Sequence, residues 1–130
     1  MKKSRKRIAL ILAVVMMMVS ILPTVAMAAA TLTGVGAGIN KGTSYITCYG
    51  TPVLSQLGYY NVTITLQREV RSGVYENIDS KTYSNQYGAG SEHTLSTAKS
   101  GLASGYYRAY VTATAGGVTL SNYCSAISIP

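Results

Sequence analysis

Few side chains in this sequence are able to move a proton or attack a carbon. His93 is the sole histidine, Asp79 the sole aspartate, and Glu69, Glu76 and Glu92 complete the acids. Beside Glu92, His93 has the ordinary pKa range for general acid–base work. A Ser-His-Asp triad would have to join His93 to Asp79, yet no serine stands in a nucleophile elbow. The glutamates could supply the paired carboxylates of glycoside cleavage, but scattered as they are they read as surface charges. Lys41-Gly42-Thr43 reverses the order that a phosphate loop requires. Two cysteines and one histidine are too few to build a metal centre. The expectation is no catalytic constellation, no metal and no cofactor, with His93 a solvated side chain at a strand end.

Cys48 and Cys124 are the only cysteines. Cys48 shares an apolar face with Ile46, and Cys124 falls in line with Val118, Leu120 and Asn122. A bond between them would close a loop of about 77 residues and stabilise the fold by roughly 4.5 kcal/mol through lost chain entropy. In an exported protein two cysteines more often pair than not, so a Cys48–Cys124 disulfide is expected. The alternatives are two buried thiols acting as small apolar residues, or a reactive thiolate. For the last, no helix N-terminus or neighbouring base is in view.

Tyrosine is the one enriched chemistry, with 11 residues in a chain that has no Trp and no Phe. Alternation along a strand divides the tyrosines between faces. Tyr106 and Tyr110 fall with Arg108, Thr112 and Thr114, whereas Tyr107 points with Ala109, Val111 and Ala113 toward a core. Tyr45 and Tyr49 likewise lie opposite Ile46 and Cys48. Tyr45, Tyr49, Tyr106, Arg108 and Tyr110 therefore form the candidate binding face, an amphipathic aromatic surface suited to sugars or to another protein. The competing reading is ordinary cross-strand tyrosine pairing, with Arg108 in a local cation–π contact.

The elements that must position these residues are strands. No segment keeps helical spacing for three turns, whereas Tyr60-Asn-Val62-Thr-Ile64-Thr-Leu66-Gln67 alternates apolar and polar residues throughout. The same pattern predicts strands near positions 32–39, 43–49, 74–83, 93–97, 106–115 and 118–129. Glycine-bearing breaks separate them, including Gly50-Thr51-Pro52, and the Gly116-Gly117 pair predicts a tight antiparallel hairpin. About seven short strands without helices predict an all-β antiparallel sandwich.

The N-terminus predicts export. Lys2, Lys3, Arg5, Lys6 and Arg7 precede an apolar run from Ile8 to Leu22, then Pro23, and Ala26-Met27-Ala28 offers the small residues of a cleavage site. A signal-peptide helix over 1–28 is expected, cut after Ala28 with Ala30 as the second choice, leaving a β-sandwich domain at 29–130. The rival reading of 8–30 as a membrane anchor is opposed by Pro23 and the alanine run. The cut removes five of the 11 basic residues, and the domain that remains has a net charge of only +2 rather than +7. No cluster of basic residues stays behind to form a nucleic-acid footprint. Membrane contact is expected only through the signal peptide during export.

Ser100-Gly-Leu-Ala-Ser-Gly105-Tyr106-Tyr107-Arg108-Ala109-Tyr110-Val111 resembles the approach to strand F of an immunoglobulin-like domain. The resemblance implies that the Tyr107 hydroxyl returns to the backbone as a tyrosine corner. Ala109 stands where antibody domains carry their second cysteine, a departure from that pattern. Leu66-Gln67-Arg68 and Gly105-Tyr106-Tyr107-Arg108 are similar to segments of small secreted β-rich proteins of Gram-positive bacteria, a group that implies no activity. Together these readings lead to a secreted or surface-associated, non-catalytic module that binds a cell-envelope glycan or a partner protein, or serves a structural role. The alternative is a secreted effector, an antimicrobial factor or hydrolase inhibitor, acting through loops such as 86–91.

Overall fold

Val62, Ile64 and Leu66 are fully buried, while Thr63 and Gln67 between and beyond them stay partly open. Their alternation therefore folds as a strand with one face in a core. The computed structural model describes residues 30–130. The expected signal-peptide helix and the cut after Ala28 lie outside the described residues. Eight strands follow in order: β1 (Leu32–Lys41), β2 (Tyr45–Leu54), β3 (Gly58–Arg71), β4 (Val74–Gly88), β5 (His93–Ala98), β6 (Gly105–Ala115), β7 (Val118–Tyr123) and β8 (Ile127–Ile129). Among the described residues there is no α-helix, and a 3-10 turn at Lys99–Gly101 joins β5 toward β6.

Two antiparallel sheets enclose the core. The smaller has the order β1-β2-β5; the larger runs β4-β3-β6-β7, with β8 end to end with β7 along β6. Ile46, Cys48 and Leu95 from the smaller sheet meet Val62, Ile64, Leu66, Tyr107, Ala109, Val111 and Ala113 from the larger. Burying each aliphatic side chain contributes about 1.5–3 kcal/mol, so this interlayer contact dominates stability. Side-chain bonds tie the layers at both edges. Asn122 Nδ2 donates to the Val35 carbonyl at 3.0 Å, and at the far edge Thr97 Oγ1 donates to Asp79 Oδ2 at 2.9 Å.

Three sequence expectations change here. First, Gly50-Thr51-Pro52 is not a break, because β2 runs through it. A Cβ at Gly50 would stand 2.9 Å from both Ile64 Cγ1 and Val111 Cγ1, so the absence of a side chain lets the sheets close at that point. Pro52 is tolerated because β5 pairs with β2 only as far as Gly50, and the proline nitrogen faces the unpaired side. Second, the strand expected over 118–129 is two, with a break at 124–126. From Tyr110↔Tyr123 to Tyr107↔Ile127, the last strand spends one residue more than β6 does, as a bulge requires. The described residues thus hold eight strands where about seven were expected.

Third, the strand expected over 74–83 runs on to Gly88 and carries two bulges against β3. Ile78 is the extra residue between Leu66↔Asp79 and Gln67↔Asn77, and a second lies near Asn85, whose φ is 53°. The first bulge switches the faces. Tyr75 and Asn77 share the solvent side with Ser80 and Thr82, whereas Asp79, Lys81 and Tyr83 turn toward β5. By contrast, the Gly116-Gly117 hairpin forms as expected, with φ of 58° and 77° at its two glycines.

Candidate functional site

The outer face of the larger sheet is a floor of hydroxyls. Across neighbouring strands Thr63 pairs with Thr82 at 2.9 Å, Thr112 with Ser121 at 2.9 Å, and Thr114 with Thr119 at 3.0 Å. Register places Thr63 beside Thr112 and Thr65 beside Tyr110, so the rows run on across β3 and β6. Period-2 geometry produces this floor: every second residue of β3 and β6 feeds the core, leaving threonines between.

At one end of the floor the chemistry concentrates on Arg108. Its Cζ lies 3.7 Å from the ring centre of Tyr75 on one edge strand and 4.1 Å from that of Tyr123 on the other. Beneath it, Arg108 Nε donates to Gln67 Oε1 at 2.9 Å, and Gln67 Nε2 donates to Asn77 Oδ1 at 3.0 Å. The amide thus fixes the guanidinium while two aromatic faces hold it, contacts worth about 0.5–2 kcal/mol each. Tyr75 in turn donates to Glu69 Oε2 at 3.0 Å, and Tyr110 stands opposite Tyr123 in the register. At the other end, Tyr59 and Tyr87 meet with ring centres 5.0 Å apart, both well exposed.

Two phenols respond to these surroundings. Desolvation, and then the hydrogen bond to Glu69, raises the pKa of Tyr75. Hydrogen bonds from Ser121 and Thr112 lower that of Tyr110, with a smaller contribution from the Arg108 charge.

The expected binding residues divide between two surfaces. Tyr106, Arg108 and Tyr110 lie on β6 in the larger sheet, and Arg108 and Tyr110 join the cluster just described. Tyr45 and Tyr49 lie on β2, on the outer face of the smaller sheet at the opposite side of the molecule. There Tyr49 lies across Gly38, whose position would put a Cβ 3.8 Å from the tyrosine ring, and Tyr45 stands exposed opposite Ala98. Tyr75, Tyr123 and Gln67 were not among the candidates. Tyr123 was within reach, since the Gly116-Gly117 turn fixes a register that ends at Tyr110↔Tyr123. Tyr75 was not, because the Ile78 bulge moves it off the face that simple alternation gives it.

His93 is not a solvated strand end. It is partly buried, with its Nε2 hydrogen-bonded at 2.8 Å to the hydroxyl of the buried Tyr60 and Ser91 Oγ at 3.4 Å. Tyr83 packs against the imidazole with ring centres 4.5 Å apart, and burial lowers the His93 pKa. Asp79 does not complete a triad: its oxygens accept from the Ser80 amide and the Thr97 hydroxyl. The Ser91-His93-Tyr60 arrangement thus serves to close the β4/β5 edge.

The expected Cys48–Cys124 disulfide is not formed, and both residues are free thiols. Where a regular ladder would bring the carbonyl of residue 124 to the Ala109 N–H, the Cys124 sulfur accepts that bond instead, at 3.2 Å. The bulge turns this sulfur toward β6, where Cys124 stays partly buried against the core in which Cys48 is fully enclosed. Burial first, and then the charges of Cys124 and Asp79, pushes the Cys48 thiol up to about 12. Compared with known proteins, the chain matches no protein-family model and no curated sequence.

Proposed function

We propose that the chain is an exported, non-catalytic β-sandwich module of immunoglobulin-like topology whose larger sheet binds a cell-envelope glycan. The observation that carries this reading is the outer face of that sheet. Aromatic groups stand at both ends of a continuous hydroxyl floor, with Tyr75, Arg108 and Tyr123 at one end and Tyr59 with Tyr87 at the other. At about 3.4 Å per residue, Tyr59 and Gln67 on β3 are roughly 27 Å apart, room for an extended polymer. Tyrosine faces stack on the C–H faces of sugars, and a threonine floor offers donors and acceptors to their hydroxyls.

Export is supported by the basic cluster, apolar run and Ala26-Met27-Ala28 of the N-terminal sequence. The immunoglobulin-like reading is supported by the two-sheet strand order and by the Tyr107 hydroxyl, which donates to the Ala103 carbonyl at 2.6 Å. A hydroxyl that returns to the backbone four residues upstream has the form of a tyrosine corner. A non-catalytic role is supported by the engagement of Asp79 and His93 in edge contacts. The effector reading has less support, because β4 continues to Gly88 and only residues 89–91 remain of the 86–91 loop it relied on.

Retention on protein-free Gram-positive cell walls tests the reading. A Tyr75→Ala/Tyr123→Ala variant should lose about tenfold or more in affinity, equal to about 1.4 kcal/mol. Tyr45→Ala, on the opposite sheet, should bind as the parent does. Undiminished binding by the double variant, or failure of the parent to bind, would overturn the proposal.

A further inference from the structure

We propose that the group anchoring the glycan at the Arg108 end is a carboxylate, so that the ligand is an acidic polysaccharide rather than a neutral one. The inference rests on the glycan reading and adds the chemical class of the ligand.

Arg108 is an unspent cation. Its Nε is committed to Gln67, and among the described residues its terminal nitrogens have no hydrogen-bond partner and form no ion pair. Of the remaining basic residues of the larger sheet, Arg71 closes β3 at the turn into β4, opposite Val74, and the other two have contacts of their own. Arg68 donates to the Ser104 carbonyl and faces Glu76 at 3.8 Å, while Lys81 lies over Tyr83 on the other face of β4. Glu69 accepts from the Tyr75 hydroxyl and forms no ion pair with Arg108. A guanidinium that is held but not neutralised keeps its attraction for an anion.

The geometry selects the kind of anion. With Nε spent on Gln67, the open edge is the end-on pair of terminal nitrogens, two parallel N–H donors in one plane. The Tyr75 and Tyr123 rings flank that plane from the two edge strands, so the anion enters a flat slot. A planar carboxylate fits the fork with both oxygens. A tetrahedral phosphate can also meet the fork with two oxygens, but its other two project above and below the plane, on the sides where the two rings stand. The same rings that orient the guanidinium then border the sugar that bears the carboxylate. The net charge of +2 for 29–130 is too small for general electrostatic capture, so selectivity must come from this one fork.

The experiment uses the same protein-free walls in three forms: untreated, with carboxylates capped as methylamides, and with phosphate-linked polymers removed by acid extraction. Capping should reduce affinity by about tenfold or more, and extraction should leave it unchanged. On untreated walls Arg108→Gln should reproduce the loss, Arg108→Lys should restore part of it, and Lys81→Gln should behave as the parent. Circular dichroism and a urea midpoint establish that each variant is folded. Equal binding to capped and untreated walls would overturn the carboxylate assignment while leaving the glycan reading intact. Loss on phosphate extraction alone would also overturn it, in favour of phosphate. Absence of binding to every form would remove the glycan reading, and this inference with it.

Discussion

At the scale of single residues, burial decides which groups react. Cys48, with its thiol pushed up to about 12, stays protonated at pH 8, whereas Cys124 lies at a sheet edge with partial exposure. Iodoacetamide should therefore label Cys124 in the folded protein and Cys48 only on unfolding, as read by peptide mass spectrometry; equal rates would contradict this. His93 supplies a pH effect whose sign follows from its lowered pKa. Below the ordinary value of 6.5 the unfolded chain takes up a proton that the folded chain resists, so stability is full above 6.5 and falls as pH drops through the folded value. The melting temperature should decline between pH 7 and 5, and His93→Gln should flatten that part of the curve. From sequence, the Ser/Thr/Gly-rich surroundings of His93 suggested solvent. Its partners Tyr60 and Tyr83 arrive from other strands, and a linear reading cannot see them.

At the scale of elements, the corner before β6 is the clearest case of local sequence dictating geometry. Removing the Tyr107 hydroxyl leaves the Ala103 carbonyl without its 2.6 Å donor. Tyr107→Phe should cost about 0.5–1.5 kcal/mol, the net contribution of a typical hydrogen bond, measured as a lower urea midpoint. An unchanged midpoint would show that the bond is not needed to hold the corner. This element was legible because its residues are contiguous: small residues lead the turn, and alternation sends Tyr107 inward with Ala109 and Val111. The Gly116-Gly117 hairpin was legible for the same reason. β4 was not. One extra residue at Ile78 inverts the parity of everything before it, and nothing in Glu76-Asn77-Ile78-Asp79 marks the insertion. Cys124 escaped in the same way, since alignment with Val118 and Leu120 holds only until a bulge breaks the count.

At the scale of the molecule, the spacing of the two sheets depends on Gly50. Gly50→Ala would place a methyl 2.9 Å from Ile64 and Val111 and force the layers apart, at a cost of about 1–3 kcal/mol. Thermal unfolding of this variant beside Gly36→Ala, whose added methyl meets Thr51 at an ordinary 3.6 Å, isolates the effect of packing. Equal destabilisation by both would contradict it. The division of the tyrosines belongs to this scale too. Alternation separates inside from outside, but a sandwich has two outsides, and only strand order assigns Tyr45 and Tyr49 to one and Tyr110 to the other. The bulges of β4 have a last consequence. The longest of the described strands is also an open edge, 15 residues long and paired on one side only, by β3. Its ladder is broken at Ile78 and again near Asn85, so a second copy finds no long uninterrupted register on which to add a strand. An irregularity that hides Tyr75 from a sequence reading thereby helps keep the protein from growing into fibrils.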